Sequence, residues 1–504
     1  MNDQQRPNAE TAQDGAGTDA PVFTPRKNGP YRRVSEELAA WMRTGWADTE
    51  RRDLRPVEQA PYTAKRRAAL GARFPGERLV VPAGHLKTRS NDTEYPFRAA
   101  CDYVYLTGDQ SDGGCLVLEP AAGGGHEAIV YLLPRSDREN GEFWLDGRGE
   151  LWNGRRDSLA EAGHLLGLAT HDVRALPTAL KEAPAAPTRI VRGHDPVLEE
   201  VLRVLRGDDE EAEKLAAERD GELAVHLADA RLIKDEWEIG QLQQAVDSTV
   251  RGFADVVAAL PKAEATSERY IEGTFFLRAR VEGNDVGYGT IAASGPNATT
   301  LHWQRNDGPV RAGEMLLLDA GVETTTLYTA DVTRTLPISG RFTDVQHRVY
   351  DLVFAAQEAG IAEVAPGRPF RAYHEEAQRV LAEGLIEWGL LEGPVERVLD
   401  LGLQRRYSLH GTGHMLGLDV HDCAIARTEC YVHGDLEPGM VLTVEPGLYF
   451  QPDDLTVPEE LRGIGVRIED DVLVTAEGNQ VLSAALPRSS EDVEAWLAER
   501  LPAV

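Results

Sequence analysis

His410-Gly-Thr-Gly-His414-Met-Leu-Gly-Leu-Asp-Val-His421-Asp422 holds three of the chain's thirteen histidines, with glycines between the first two. Glycine lets a backbone approach a ligand closely or take a positive φ. Imidazole is the side chain that most readily binds a metal or moves a proton near neutral pH. Four carboxylates flank this segment in strand-like settings. Asp319 ends the apolar run Met315-Leu-Leu-Leu-Asp319 and precedes Ala-Gly. Asp331 lies in the alternating Thr329-Ala-Asp-Val-Thr-Arg-Thr335, and Glu445 closes Val441-Leu-Thr-Val-Glu445 before Pro-Gly. Glu469 falls in Gly465-Val-Arg-Ile-Glu-Asp470, where Ile464, Val466 and Ile468 alternate with other residues at the period of a half-buried strand.

A carboxylate emerging from an apolar strand is costly to bury unless a cation or a donor meets it. Each residue alone has an ordinary role: a strand-end Asp caps a turn, Glu-Pro-Gly makes one, and a histidine beside glycine bonds the backbone. The set is more informative. Four carboxylates converging with one imidazole would suit two divalent cations about 3.5–4 Å apart, held at that spacing by bridging carboxylates. An oxygen-rich site with one nitrogen favours Mn²⁺, Co²⁺ or Fe²⁺ over a thiolate zinc site.

The order Asp, Asp, His, Glu, Glu resembles the pita-bread metallopeptidases, which include aminopeptidase P, prolidase and methionine aminopeptidase. The phrases His-Gly-Thr-Gly-His-Met-Leu-Gly-Leu-Asp-Val-His-Asp, Val-Leu-Thr-Val-Glu-Pro-Gly-Leu-Tyr-Phe and Gly-Val-Arg-Ile-Glu-Asp-Asp-Val-Leu-Val-Thr are most similar to aminopeptidase P, across roughly residues 230–488. A weaker echo lies in Tyr95-Pro-Phe-Arg98 and Asp102-Tyr-Val-Tyr-Leu-Thr-Gly108. The resemblance implies removal of the N-terminal residue from peptides with proline second. In that scheme a hydroxide bridging two metals attacks the Xaa-Pro bond. It implies Asp319 as a chelator of one metal, Asp331 and Glu469 as bridges, and His414 with Glu445 completing the other. Glu445 is also the implied proton shuttle. His302, His410 and His421 match substrate-facing histidines that bind the scissile carbonyl. Arg467 matches a partner that holds ligand carboxylates in place. Tyr288 and Tyr449 match aromatic positions near the pocket, with core packing as the other reading.

The same resemblance implies an α+β architecture, a C-terminal pita-bread domain behind a smaller N-terminal α/β domain, and assembly as a homodimer or homotetramer. Trp144 is placed either in a wall supplied to a neighbouring subunit or in the core. A prolidase that cuts only Xaa-Pro dipeptides is the alternative, and would need a cation for proline's carboxylate. A non-catalytic peptide-binding relative is the other, although such proteins have typically lost ligands. One departure stands out. The Asp319–Asp331 spacing is one residue longer than usual, which a bulge or wider hairpin turn would absorb.

The whole chain fits this reading. At 504 residues it has room for several domains, and a net charge of −30 argues against nucleic acid or an anionic membrane as partner. No apolar run is long enough to span a bilayer. Residues 1–29 are polar, with neither a signal nor an anchor, and are expected to be a disordered tail. Arg32-Arg33 lacks the hydrophobic region of an export signal. Four cysteines without CxxC spacing read as reduced thiols of a cytoplasmic protein.

Residues 30–227 read as the N-terminal α/β domain, 228–488 as the catalytic domain and 489–504 as a tail with a short acidic helix. Helices are expected over 34–46 and 64–74, with Pro56 and Pro61 punctuating between, and strands over 78–82, 104–106, 115–118 and 128–133. Residues 208–214 read as a loop or a helix start, and a long helix is expected from Arg231 towards Leu260. His347, His374 and His433 read as structural.

Overall fold

The computed structural model describes residues 35–183, 185–207 and 209–501. The tail expected over 1–29 lies outside them. The N-terminal half is built on a five-stranded mixed sheet. Its order is Ala169–Asp172, His126–Leu132, Cys115–Pro120, Arg78–Pro82, Thr188–Ile190, antiparallel through the middle and parallel at both edges. Leu79, Val80 and Val81 are wholly buried, so this strand packs on both faces.

Two local expectations need correction. Residues 104–106 are not a strand but the middle of the Cys101–Thr107 helix, which ends at Gly108 with φ +75°. A short apolar run carries no periodicity that separates strand from buried helix. Pro61 does not punctuate; it sits in the first turn of the Ala60–Arg73 helix, where a missing N–H costs nothing.

The expected boundary after residue 227 falls inside the Glu210–Arg231 helix, which Asp209 caps by accepting the N–H of Ala212. The long helix expected from Arg231 begins instead at Glu236. Asp235 and Glu238 form a capping box there, and the helix runs to Glu264. Charged side chains cross this junction. Arg66 reaches Asp235 at 2.7 Å and Glu238 at 3.1 Å, and Arg98 reaches Glu323 at 2.6 Å and donates to the Leu418 carbonyl.

The C-terminal half consists of short antiparallel strands backed by helices. Val332–Pro337, Met315–Ala320 and Ile291–Ser294 form one sheet, and Val441–Val444, Asp470–Val474 and Asn479–Val481 another. The Gly447–Tyr449 and Gly465–Arg467 pair joins them, since Thr335 bonds the Arg467 carbonyl and Glu469 N–H bonds the Thr333 carbonyl. Every residue of Met315–Ala320 and Val332–Pro337 is buried. Helices Glu236–Glu264, Asp344–Glu363 and Ala372–Glu387 cover the sheets. The helix expected near the C-terminus is Ser490–Arg500; its Val493 and Leu497 are fully buried in the core rather than standing free as a tail.

Candidate metal centre

The Asp319–Asp331 connection closes as a hairpin at Thr324–Tyr328. Thr324 N–H bonds the Tyr328 carbonyl, and Leu327 takes φ +69°. Asp319 pairs in register with Thr333, so alternation places both on one sheet face with Asp331 beside them. Arg467 and Glu469 project to the same side. A cleft of about 380 Å³ gathers Tyr288, His302, Asp319, Asp331, His410, His414, His421, Glu445, Arg467 and Glu469. Every site residue named from the sequence lines it except Tyr449, which stands behind it.

Asp331, His414 and Glu469 each offer a ligand atom, all within 4.8 Å of one another. His414 Nε2 lies 3.3 Å from Asp331 Oδ2 and 3.7 Å from Glu445 Oε1. Its Nδ1 is 3.1 Å from the Met415 carbonyl, which turns Nε2 towards the carboxylates as the nitrogen available to a metal. His410 Nδ1 is 3.8 Å from Glu445 Oε2. The Tyr288 hydroxyl contacts Asp319 at 2.7 Å and also Asp331. Arg467 donates to Asp319 Oδ2 at 2.5 Å and to the Tyr449 hydroxyl at 2.9 Å, and that hydroxyl is 2.8 Å from His410 Nε2. The His414 and His421 rings meet edge to face with centroids 4.3 Å apart.

Electrostatics shows what this cluster lacks. Burial, followed by the neighbouring carboxylates, pushes Glu469 well above the usual carboxylate range. Burial raises Glu445 to about 7 against the pull of His414 and Arg467. Asp319 is also raised by burial, although Arg467 opposes it. His414 loses charge to burial but is driven to about 9 by Asp331 and Glu445. Burial holds His410 down at about 4, with Arg467 adding to it. Four carboxylates thus share one guanidinium in a buried space, which is the donor chemistry of a divalent-cation site.

Several contributors carried no sequence signal. Glu268, wholly buried, accepts from Ser294 N, Asn297 Nδ2, Trp303 Nε1 and Gly308 N, and so fixes the turn that carries His302. Thr333 donates to Glu469 Oε2 at 2.6 Å. Asp471 Oδ2 accepts the N–H of Asp331 at 3.1 Å. Ile291, Leu301 and Val420 supply the cleft's apolar wall. Trp144 is 7% exposed, which places it in the core of its own chain. His347 pairs with Asp351 at 2.6 Å, away from the cleft. All four cysteines are unpaired, and burial raises Cys423 to about 12. Among the described residues no helix is long and apolar enough to cross a membrane.

Residues 240–476 match metallopeptidase family M24, and residues 63–191 match the aminopeptidase P N-terminal domain. The chain is 70% identical over 473 residues to Xaa-Pro aminopeptidase 1 of Streptomyces coelicolor, covering 94% of each. Its fold is similar to that of aminopeptidase PepP of Pseudomonas aeruginosa, with a TM-score of 0.78 at 30% identity over 89% of this chain and 99% of that one. It is likewise similar to Escherichia coli aminopeptidase P solved with the inhibitor Pro-Leu, with a TM-score of 0.77 at 30% identity over 88% and 99%. An aminopeptidase P N-terminal domain therefore precedes a pita-bread catalytic domain, and the chain belongs to metallopeptidase family M24 as an Xaa-Pro aminopeptidase, a hydrolase that works with divalent metal ions and removes the residue before proline.

Proposed function

We propose that Asp319, Asp331, His414, Glu445 and Glu469 hold two divalent cations, of which Mn²⁺ suits the donor set best and Co²⁺ or Fe²⁺ would serve. The observation that carries this reading is the buried excess of carboxylate around the single Arg467. When bound, the cations supply the positive charge that acidifies a water and polarises the scissile carbonyl. The chain's own residues do the rest. Glu445, at the edge of the carboxylate cluster and 3.7 Å from His414 Nε2, takes the proton of the attacking water and returns it to the leaving proline nitrogen. His302, His410 and His421 line the cleft and steady the carbonyl oxygen as it gains charge. His410, held neutral, donates Nδ1–H to the Gly411 carbonyl at 2.6 Å and meets the Tyr449 hydroxyl through Nε2. Arg467 fixes Asp319 and, through Tyr449, orients His410.

Proline has no N–H and a fixed φ, so peptidases that need a backbone donor there reject it. A dedicated pocket is required, and Ile291, Leu301 and Val420 provide its apolar side. Arg467 is the one Lys or Arg among the described cleft residues, and it is committed to Asp319 and Tyr449. That leaves no cation for the free carboxylate a dipeptide-only enzyme must grip, and favours longer Xaa-Pro peptides. Pro-Leu bound to the Escherichia coli relative is the kind of product such cleavage leaves. We further propose two domains that meet near the break between the Glu210–Arg231 and Glu236–Glu264 helices, a homodimer or homotetramer, and a cytoplasmic location; the four unpaired thiols support the last.

The test uses metal-stripped protein with and without Mn²⁺, Co²⁺ or Fe²⁺, on an Xaa-Pro dipeptide and an Xaa-Pro-Yaa tripeptide. Tripeptide cleavage that depends on metal and is fastest with Mn²⁺ is expected. Cleavage of the dipeptide alone would overturn the substrate reading.

A further inference from the structure

His374 stands on the Ala372–Glu387 helix, outside the cleft, yet it reaches the segment between His410 and His414. Its Nδ1 is 2.8 Å from Thr412 Oγ1 and accepts the Thr412 backbone N–H at 3.2 Å. Accepting an N–H at Nδ1 requires the neutral imidazole with its proton on Nε2. On the opposite side, the Thr412 carbonyl accepts the N–H of Glu445 at 2.8 Å. Thr412 is 1% exposed and is flanked by Gly411 and Gly413, which have no side chains to anchor. Gly413 lies so close to the Thr443 carbonyl that a Cβ there would collide with it, so the segment has no slack on that side. Thr412 is therefore where a glycine-flanked segment is gripped, by the Glu445 backbone on one side and by His374 on the other.

We propose that His374 is a positioning residue for the aminopeptidase reaction: by holding Thr412 from the helix side, it sets the register of His410 and Glu445 across the cleft. The inference rests on the roles given to His410 and Glu445 above. A shift of about 1 Å in a reacting group can cost about 100-fold in rate, and truncating His374 removes both of its contacts to Thr412. His374 also walls a cavity of about 840 Å³ on the helix side of the segment, shared with Gln378 and Ser408. Truncating it enlarges an existing cavity and leaves the core intact.

The experiment compares His374→Ala, His374→Asn and His374→Gln, each loaded with Mn²⁺, for kcat and KM on an Xaa-Pro-Yaa peptide, bound metal per chain, and Tm. Asparagine puts an acceptor oxygen where Nδ1 stood; glutamine puts it farther out, near the place of Nε2. Alanine and glutamine, compared at full metal occupancy, should lower kcat by about 10- to 100-fold, and asparagine should recover most of the loss. Wild-type kcat in the alanine variant, equal losses for asparagine and glutamine, or a loss that appears only in Tm or metal content would overturn the proposal. Glu445→Gln, assayed in parallel, separates the two readings. If it stays active, the site assignment fails; if it is inactive while His374→Ala is unaffected, this inference alone fails.

Discussion

Glu469 and Asp470 are adjacent, both buried, and opposite in their surroundings. Asp470 faces away from the cleft. It takes Arg334 Nη2 at 2.7 Å, Ser483 Oγ at 2.5 Å and Gln357 Nε2 at 2.7 Å. Arg334 is itself wholly buried and spends its other donors on the Pro487, Leu486, Thr333 and Glu469 carbonyls. Every charge in that cluster has a counterpart within the chain. Glu469 faces the cleft, takes the hydroxyl of Thr333, and otherwise meets Asp331, Glu445 and Asp319 with Arg467 as the opposing charge. Two adjacent residues thus carry one carboxylate whose charge the protein completes and another whose charge it leaves open. A buried ion pair holds the fold together, whereas a buried excess of one sign requires something from outside the chain.

The strongest way to break this comparison is to neutralise one carboxylate of each kind. Glu445→Gln should lower kcat by about 10²–10⁴ while the metal-free folded protein keeps its stability, because its loss relieves repulsion. Asp470→Asn should do the reverse. It strands Arg334 in the core, so stability should fall by about 3–5 kcal/mol, while the variant that remains folded keeps its turnover. Steady-state kinetics and urea denaturation on both variants decide it. A stable but inactive Asp470→Asn would mean that the two faces are not separate.

Metal removal comes next in size. At a metal concentration about 100 times the dissociation constant, binding adds about 2.7 kcal/mol of stability. Chelation should lower the denaturation midpoint of wild type and of Asp470→Asn by the same increment, since the Arg334 pair owes nothing to the cations. In His414→Ala that increment should largely vanish, along with bound metal in elemental analysis. Full metal occupancy in His414→Ala would remove that histidine from the ligand set.

This contrast also explains what could be read in advance. Asp319, Asp331, His414, Glu445 and Glu469 were legible because each sits in a local context that is odd for its type, either a carboxylate ending an apolar strand or a histidine between glycines. The separation of Glu469 from Asp470 was not legible. Glu-Asp-Asp reads as three similar acids until Arg334 and Gln357, both distant in the chain, arrive on one face. Glu268 escaped for the same reason, since its four donors come from turns that only the fold assembles. The helix at Cys101–Thr107 was hidden in a run too short to show a period, and the break before Glu236 was hidden because Asp235 looks like any acid until its capping bonds form.

The smallest expected effect sharpens the comparison most. The Tyr288 hydroxyl sits between Asp319 and Asp331 and has one proton for two acceptors. In the metal-free protein it is a donor within a cluster short of positive charge, so Tyr288→Phe should cost about 1 kcal/mol or somewhat more. Once cations occupy the cleft, the same carboxylates have far stronger partners and the hydroxyl matters less. The stability gained on adding metal should therefore be larger in Tyr288→Phe than in wild type, a difference readable from paired denaturation curves. An equal loss with and without metal would mean that the hydroxyl's bonds to Asp319 and Asp331 are untouched by the cations. It would also mean that the open charge on this face is met by something other than the proposed cations.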